Sequence, residues 1–115
     1  MGKITLTMAK ECYLCSTKIL SNKMTKAEAI KHILITNMKE NSIKRYLDSL
    51  TKLISGKFYH STMKGEYYNF FFQQIYKDYG KDTLRKSLNA ATLHVNYYKH
   101  PLNELQEIIK QFKLK

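Results

Sequence analysis

Three observations predict an all-α fold, a single compact bundle of five or six helices spanning residues 1–115. Apolar residues recur at three- and four-residue spacing in several separate stretches. Gly56, Gly80 and Pro101 fall where such stretches end, and glycine and proline are otherwise scarce. Hydrophobic residues make up 43% of the chain and aromatics 12%, enough for a real core, yet no run of eighteen apolar residues marks a membrane span. A length of 115 residues suits one domain and is short for two.

The first stretch, Thr7 to Leu20, is the least defined. Met8, Tyr13, Leu14, Ile19 and Leu20 permit a helix, while Lys3 to Thr7 alternates like a short strand. Thr25 followed by Glu28 is a capping-box pattern, after which Ala27, Ile30, Ile33, Leu34 and Met38 follow at helical spacing. Asn41 or Ser42 can cap the next helix, whose apolar face is Ile43, Tyr46, Leu47, Leu50, Leu53 and Ile54, with Gly56 as its stop. A helix from about Lys64 to Tyr79 carries Tyr68, Phe71, Phe72, Ile75 and Tyr76 and ends at Gly80. Asp82 then caps a helix bearing Leu84, Leu88, Ala91, Val95 and Tyr98, stopped by Pro101. Asn103 caps a short last helix with Leu105, Ile108, Ile109 and Phe112.

Charge gives the direction of function. Twenty Lys+Arg against nine Asp+Glu leave a formal net charge of +11, and eighteen of the cations are lysines. Such an excess favours polyanionic partners, nucleic acid first among them. Lysine is a hydrated point charge on a flexible stem, so this balance suits phosphate attraction more than bidentate base readout. Lys44, Arg45 and Lys52 lie opposite the apolar stripe of their helix; Lys81, Arg85, Lys86 and Lys99 do the same before and along the fifth, with Asn89, Thr92 and Asn96 between them. No acidic residue occurs from Leu84 to Asn103. The nucleic-acid candidates are therefore Lys44, Arg45, Lys52, Lys81, Arg85, Lys86, Asn89 and Lys99. Lys110, Lys113 and Lys115 form a basic tail that can add weak phosphate contacts.

Tyr67, Tyr68, Phe70, Phe71 and Phe72 cover nearly the whole circumference of a helix. Three roles suit such a helix: a central core element, a partner or homodimer interface, or a stacking platform for bases. Tyr67, Phe70 and Tyr97 are the candidates for a partner interface, with Tyr97 and Tyr98 dividing between outside and inside.

The runs NSIKRYLDSLTKLI (Asn41 to Ile54) and YNFFFQQIYKDYGKDTLRKSLNAATLHVNYY (Tyr68 to Tyr98) resemble the N-terminal core-binding, SAM-like domain of phage integrases and other tyrosine recombinases. The likeness rests on a capped helix with an aromatic at Tyr46 and on a later helix opening near Thr83 and closing in an aromatic pair. It implies a helical bundle that clamps duplex DNA, with Lys44, Arg45, Lys81, Arg85 and Lys86 as contacts. It also implies a phage or mobile-element source. No catalytic domain fits after residue 98, so the resemblance extends to a binding or accessory module only.

Cys12 and Cys15 have zinc-ligand spacing, and ECYLCSTKIL is similar to the zinc knuckle that opens an HNH nuclease. The pattern stops there: Lys31 stands before His32 where that family has an Asp, and no second CxxC follows. A closed zinc site needs four ligands, and His94 with His100 are poorly spaced to complete one. The expectation is two buried thiols, no metal and no cofactor. No phosphate loop or nucleophile motif is present, so no enzyme is expected. Charged residues arrive too early for a signal peptide, and Leu6 stands where a myristoylation signal wants Ser or Thr, which together suggest a cytoplasmic protein. The expected function is a small nucleic-acid-binding protein or accessory module, DNA favoured over RNA, touching phosphates through basic helix faces. The alternative is a protein-interaction module, an inhibitor or small subunit of a nucleic-acid-processing complex, that uses the aromatic helix as its interface.

Overall fold

The structure, a computed structural model, describes residues 3–98 and 101–113. The fold is all-α, with no strand among the described residues. In order come α1 (Leu6–Leu20), α2 (Lys26–Ile33), a 3-10 turn (Leu34–Thr36), α3 (Glu40–Ser55), a second 3-10 turn (Gly65–Tyr67), α4 (Tyr68–Tyr79), α5 (Lys81–Tyr97) and α6 (Asn103–Lys113). Six α-helices among the described residues meet the upper end of the expected number. The chain divides into two compact units, Met1–Thr51 and Lys52–Lys115, with the boundary inside α3.

In the first unit, the alternating run at the start forms no strand. Thr5 is instead the N-cap of α1, its Oγ1 accepting the Met8 N–H at 3.2 Å. That bond satisfies one of the orphan donors of the first turn and settles the local choice for helix. At the other end Asn22 adopts φ 60°, and the N–H groups of Asn22 and Lys23 close on the Ile19 and Lys18 carbonyls. The helix packs on α2 and buries Met8, Ala9, Cys12, Tyr13, Cys15 and Ser16. The α2 capping box forms as its sequence predicts: Thr25 Oγ1 accepts from Glu28 N–H at 3.1 Å, and Glu28 Oε1 from Thr25 N–H at 2.8 Å. Those two bonds hold the Glu28 carboxyl below its ordinary pKa. A Glu11–His32 contact of 2.9 Å joins α1 to α2, but both side chains are too exposed for it to contribute much.

The second unit opens on the end of α3. Gly56 sits at φ +74°, and the N–H groups of Gly56 and Lys57 bond to the Leu53 and Lys52 carbonyls, a Schellman closure. A Cβ at Gly56 would also lie 2.9 Å from the Lys86 Cβ, so glycine is required there twice over. The helix expected from about Lys64 begins later: residues Gly65–Tyr67 wind as a 3-10 turn, because no side chain caps them and glycine opens the turn. From Tyr68 onward α4 is regular and buries Tyr68, Phe71, Phe72 and Ile75, one face at i, i+3, i+4 and i+7. The aromatic run is therefore mainly core. Gly80 alone connects α4 to α5, with φ +95° and ψ −176°. Asp82 does not cap α5: the helix starts at Lys81, one residue before it, and Asp82 lies in the first turn. Helices α4, α5 and α6 pack on one another, and Phe112 of α6 meets Phe72 edge-on at 5.4 Å.

The loop between α3 and the second 3-10 turn is fastened by one buried node. Tyr59 is fully buried; its hydroxyl shares a 2.5 Å hydrogen bond with that of Tyr68, and its ring stacks on the His94 imidazole at 4.2 Å. His94 Nδ1 lies 2.8 Å from the Tyr59 carbonyl oxygen, which can only accept. The proton is thus on Nδ1, and Nε2 keeps a buried lone pair with no hydrogen-bond partner among the described residues. Burial lowers the His94 pKa from 6.5, with nearby His60 acting the same way and the Tyr59 carbonyl bond opposing both.

Two predictions follow from these local conformations. Gly80→Ala meets nothing within 4 Å, yet the backbone region it occupies is nearly glycine-only, so urea unfolding should show a loss of about 1–3 kcal/mol. For His94 the unfolded chain takes up a proton near pH 6.5 while the folded chain resists it. Stability should therefore be full above that value and fall as pH drops through it toward the lower folded value. Urea midpoints at about pH 7.5 and about pH 5 should show that fall, and His94→Phe should make it shallower.

Candidate nucleic-acid interface

A groove of about 800 Å³ lies wholly in the second unit, between α4, α5 and α6. That volume is in the range of small-molecule sites, roughly 300–1,000 Å³. Its lining follows from helical register. Lys81, Arg85 and Asn89, at i, i+4 and i+8, share one face of α5, with Leu84 and Leu88 beside them. From α4 come Gln73 and Tyr76, and from α6 Phe112 and Lys113. The floor is apolar, because Leu84 and Leu88 are buried, while Tyr76 leaves 56% of its surface exposed.

Electrostatically the groove carries one sign. Lys81, Arg85 and Lys113 line it, and no carboxylate does among the described residues. Arg85 Nη2 lies 3.1 Å from Asp82 Oδ1, but both side chains are largely in solvent, so the pair is weak and open to competition. Neither Lys81 nor Lys113 has an ion pair among the described residues. The N-terminus of α5, without a side-chain cap, adds the positive end of its dipole beside Lys81.

The structure thus brings together three of the residues predicted from sequence: Lys81, Arg85 and Asn89. Lys86 is exposed on α5 but outside that lining, its Cβ approaching Gly56. Lys52 is half-buried. Lys44 and Arg45 belong to the first unit and are exposed; Lys44 pairs with Glu40 at 3.0 Å, one helical turn away. Lys99 and His100 lie outside the described residues. Gln73, Tyr76 and Phe112 were not among the predicted site residues, and Lys113 was expected only as part of a basic tail that adds weak phosphate contacts. Tyr76 had been expected on the buried stripe of α4, but Tyr68 through Ile75 already complete that stripe and the next position turns to its flank.

The proposed interface residues separate. Tyr67 is buried at 8% exposure, with the Lys64 ammonium over its ring at 5.5 Å, so it presents almost no surface. Phe70 is half-buried. Tyr97 is exposed and forms a three-ring cluster with Phe58 and His60, at 5.3 Å and 5.1 Å; Tyr98 is half-buried against His94.

The cysteines have a different character. Both are buried, and the Cys12 thiol contacts the Met38 sulfur at 3.7 Å. Burial, then the neighbouring Cys15 and Glu11, pushes Cys12 up to about 12, and burial also raises Cys15. Thiols so raised are poor nucleophiles and poor metal ligands at neutral pH. No group of three or more His, Cys, Asp or Glu is placed to hold a metal among the described residues. Likewise no helix there is long and apolar enough to cross a membrane. Ellman's reagent should label both cysteines slowly in the native protein and rapidly in urea; fast native labelling would contradict the burial. Comparison with protein-family models, with curated proteins and with solved structures gives no match.

Proposed function

We propose that the protein binds nucleic acid through phosphate contacts, with the groove between α4, α5 and α6 as the principal site. The observation that carries this reading is the groove's lining, three cations and two amides with no carboxylate among the described residues, in a chain of net charge +11. Lys81 and Arg85 stand one helical turn apart, about 6 Å along the axis, close to the spacing of successive phosphates. The integrase-like helix pattern over residues 41–98 makes DNA the first candidate and an accessory role in a phage or mobile element the natural setting. Lys44 and Arg45 are further exposed cations, in the first unit.

A protein partner is the second reading. It is favoured by Leu93 and Tyr97, one turn apart on α5 and each more than half exposed, and by Ile35 at 80% exposure.

The two readings respond differently to salt. Phosphate binding weakens steeply as salt rises, with a slope of about −0.9 per contact on duplex DNA and about −0.7 on single strands. The paired change Lys81→Ala with Arg85→Ala should weaken binding of labelled DNA and flatten that slope by about one to two contacts. An unchanged slope removes the groove cations from the site, and absence of binding at low salt leaves the protein partner as the surviving reading.

A further inference from the structure

We infer that the groove receives an unstacked nucleotide, so that the preferred ligand is single-stranded rather than duplex nucleic acid. The inference rests on the nucleic-acid reading and specifies its substrate. A site for duplex phosphates needs only exposed cations on a convex or flat face. This one is a concavity of about 800 Å³ with an apolar floor, and phosphate oxygens have no use for Leu84 and Leu88. A flat, apolar-faced group with a charged appendage does.

Each part of a nucleotide has its complement in the lining. Tyr76, more than half exposed at the groove edge, offers a ring face for a base. Phe112 offers a second aromatic surface, and its edge-on contact with Phe72 at 5.4 Å holds it in place before any ligand arrives. Gln73 and Asn89 each carry an amide, both a donor and an acceptor, suited to the hydrogen-bonding edge of a base. Lys81, Arg85 and Lys113 supply the counter-charge for phosphates on either side. In a duplex the bases are stacked and paired, and one reaches such a groove only after leaving the helix, at a cost of a few kcal/mol. A single strand has already met that cost.

The long aromatic run at Tyr67–Phe72 does not serve this role, since its rings are mostly buried. The stacking surface is instead the two aromatics that flank the core.

The test uses the full chain and two probes: a fluorescein-labelled 12-nucleotide DNA strand, and the same strand annealed to its complement. Anisotropy titrations across a salt series are run with the native protein, Tyr76→Ala and Tyr76→Phe. Tyr76 is more than half exposed, so both variants are expected to fold, and circular dichroism checks that they do. The inference predicts that the single strand binds at least about 10-fold tighter than the duplex. Tyr76→Ala should lose about 5- to 150-fold on the single strand, the range of one base–aromatic stack. Its salt slope should stay unchanged, and Tyr76→Phe should restore affinity. Equal affinity for both probes, or a single-strand affinity indifferent to Tyr76→Ala, overturns the inference while leaving phosphate binding in place. Absence of binding to either probe at low salt overturns the nucleic-acid reading and this inference with it.

Discussion

The imidazole of His94 donates to the carbonyl of Tyr59, and much of the second unit depends on that contact. Residues 57–64 have no helical ladder of their own, so their backbone groups need partners from elsewhere. His94 provides one from α5, and the Tyr59 hydroxyl extends the link to Tyr68 on α4. One buried node therefore ties a loop to α4 and α5, two of the three helices that form the groove. It is a demanding arrangement. Two hydroxyls and an imidazole are withdrawn from water together, the hydroxyls bonded to each other and the imidazole to the Tyr59 carbonyl, and a group left unpaired there costs about 1–3 kcal/mol. Nε2 of His94 finds no hydrogen-bond partner among the described residues. Elsewhere in the helices buried hydroxyls avoid the problem by bonding back to the preceding turn, as Ser16 does to Cys12 and Ser87 to Thr83.

Charge is unevenly committed over the surface. Several lysines are engaged in short-range pairs, Lys44 with Glu40 and Lys64 with Glu66. The groove collects cations that are less committed: Arg85 pairs only with the solvent-exposed Asp82 among the described residues, and the weak pair is open to competition. An apolar floor strengthens the consequence, since a low-dielectric wall concentrates the field of the charges at its rim. Net charge alone makes a protein attractive to every polyanion. A cationic concavity with aromatic edges can discriminate among them.

Local chemistry was the legible part of the sequence. Helix count, the Thr25–Glu28 capping box and the stops at Gly56 and Gly80 all depend on residues within one turn of each other, and all formed. The start of α1 was ambiguous because five alternating residues satisfy a strand pattern until the Thr5 cap is seen. Lys81, Arg85 and Asn89 were found because a shared helix face is readable from spacing alone. Tyr76 and Phe112 were not, because an apolar residue at the margin of a stripe faces core or groove according to how neighbouring helices pack. The partner of His94 is a backbone carbonyl 35 residues away, and a carbonyl leaves no mark in a sequence.

The one-residue connection at Gly80 has a consequence for how such a groove can change over generations. With no slack between α4 and α5, the side chains on the two walls are locked in step. Substitution along either wall alters one contact at a time and leaves the rest in place. Insertion or deletion of a single residue within the first turn of α5 would instead rotate all that follows by about 100°, carrying Arg85 and Asn89 off the groove face together. Descendants of this chain should therefore hold the number of residues between Tyr76 and Arg85 nearly fixed.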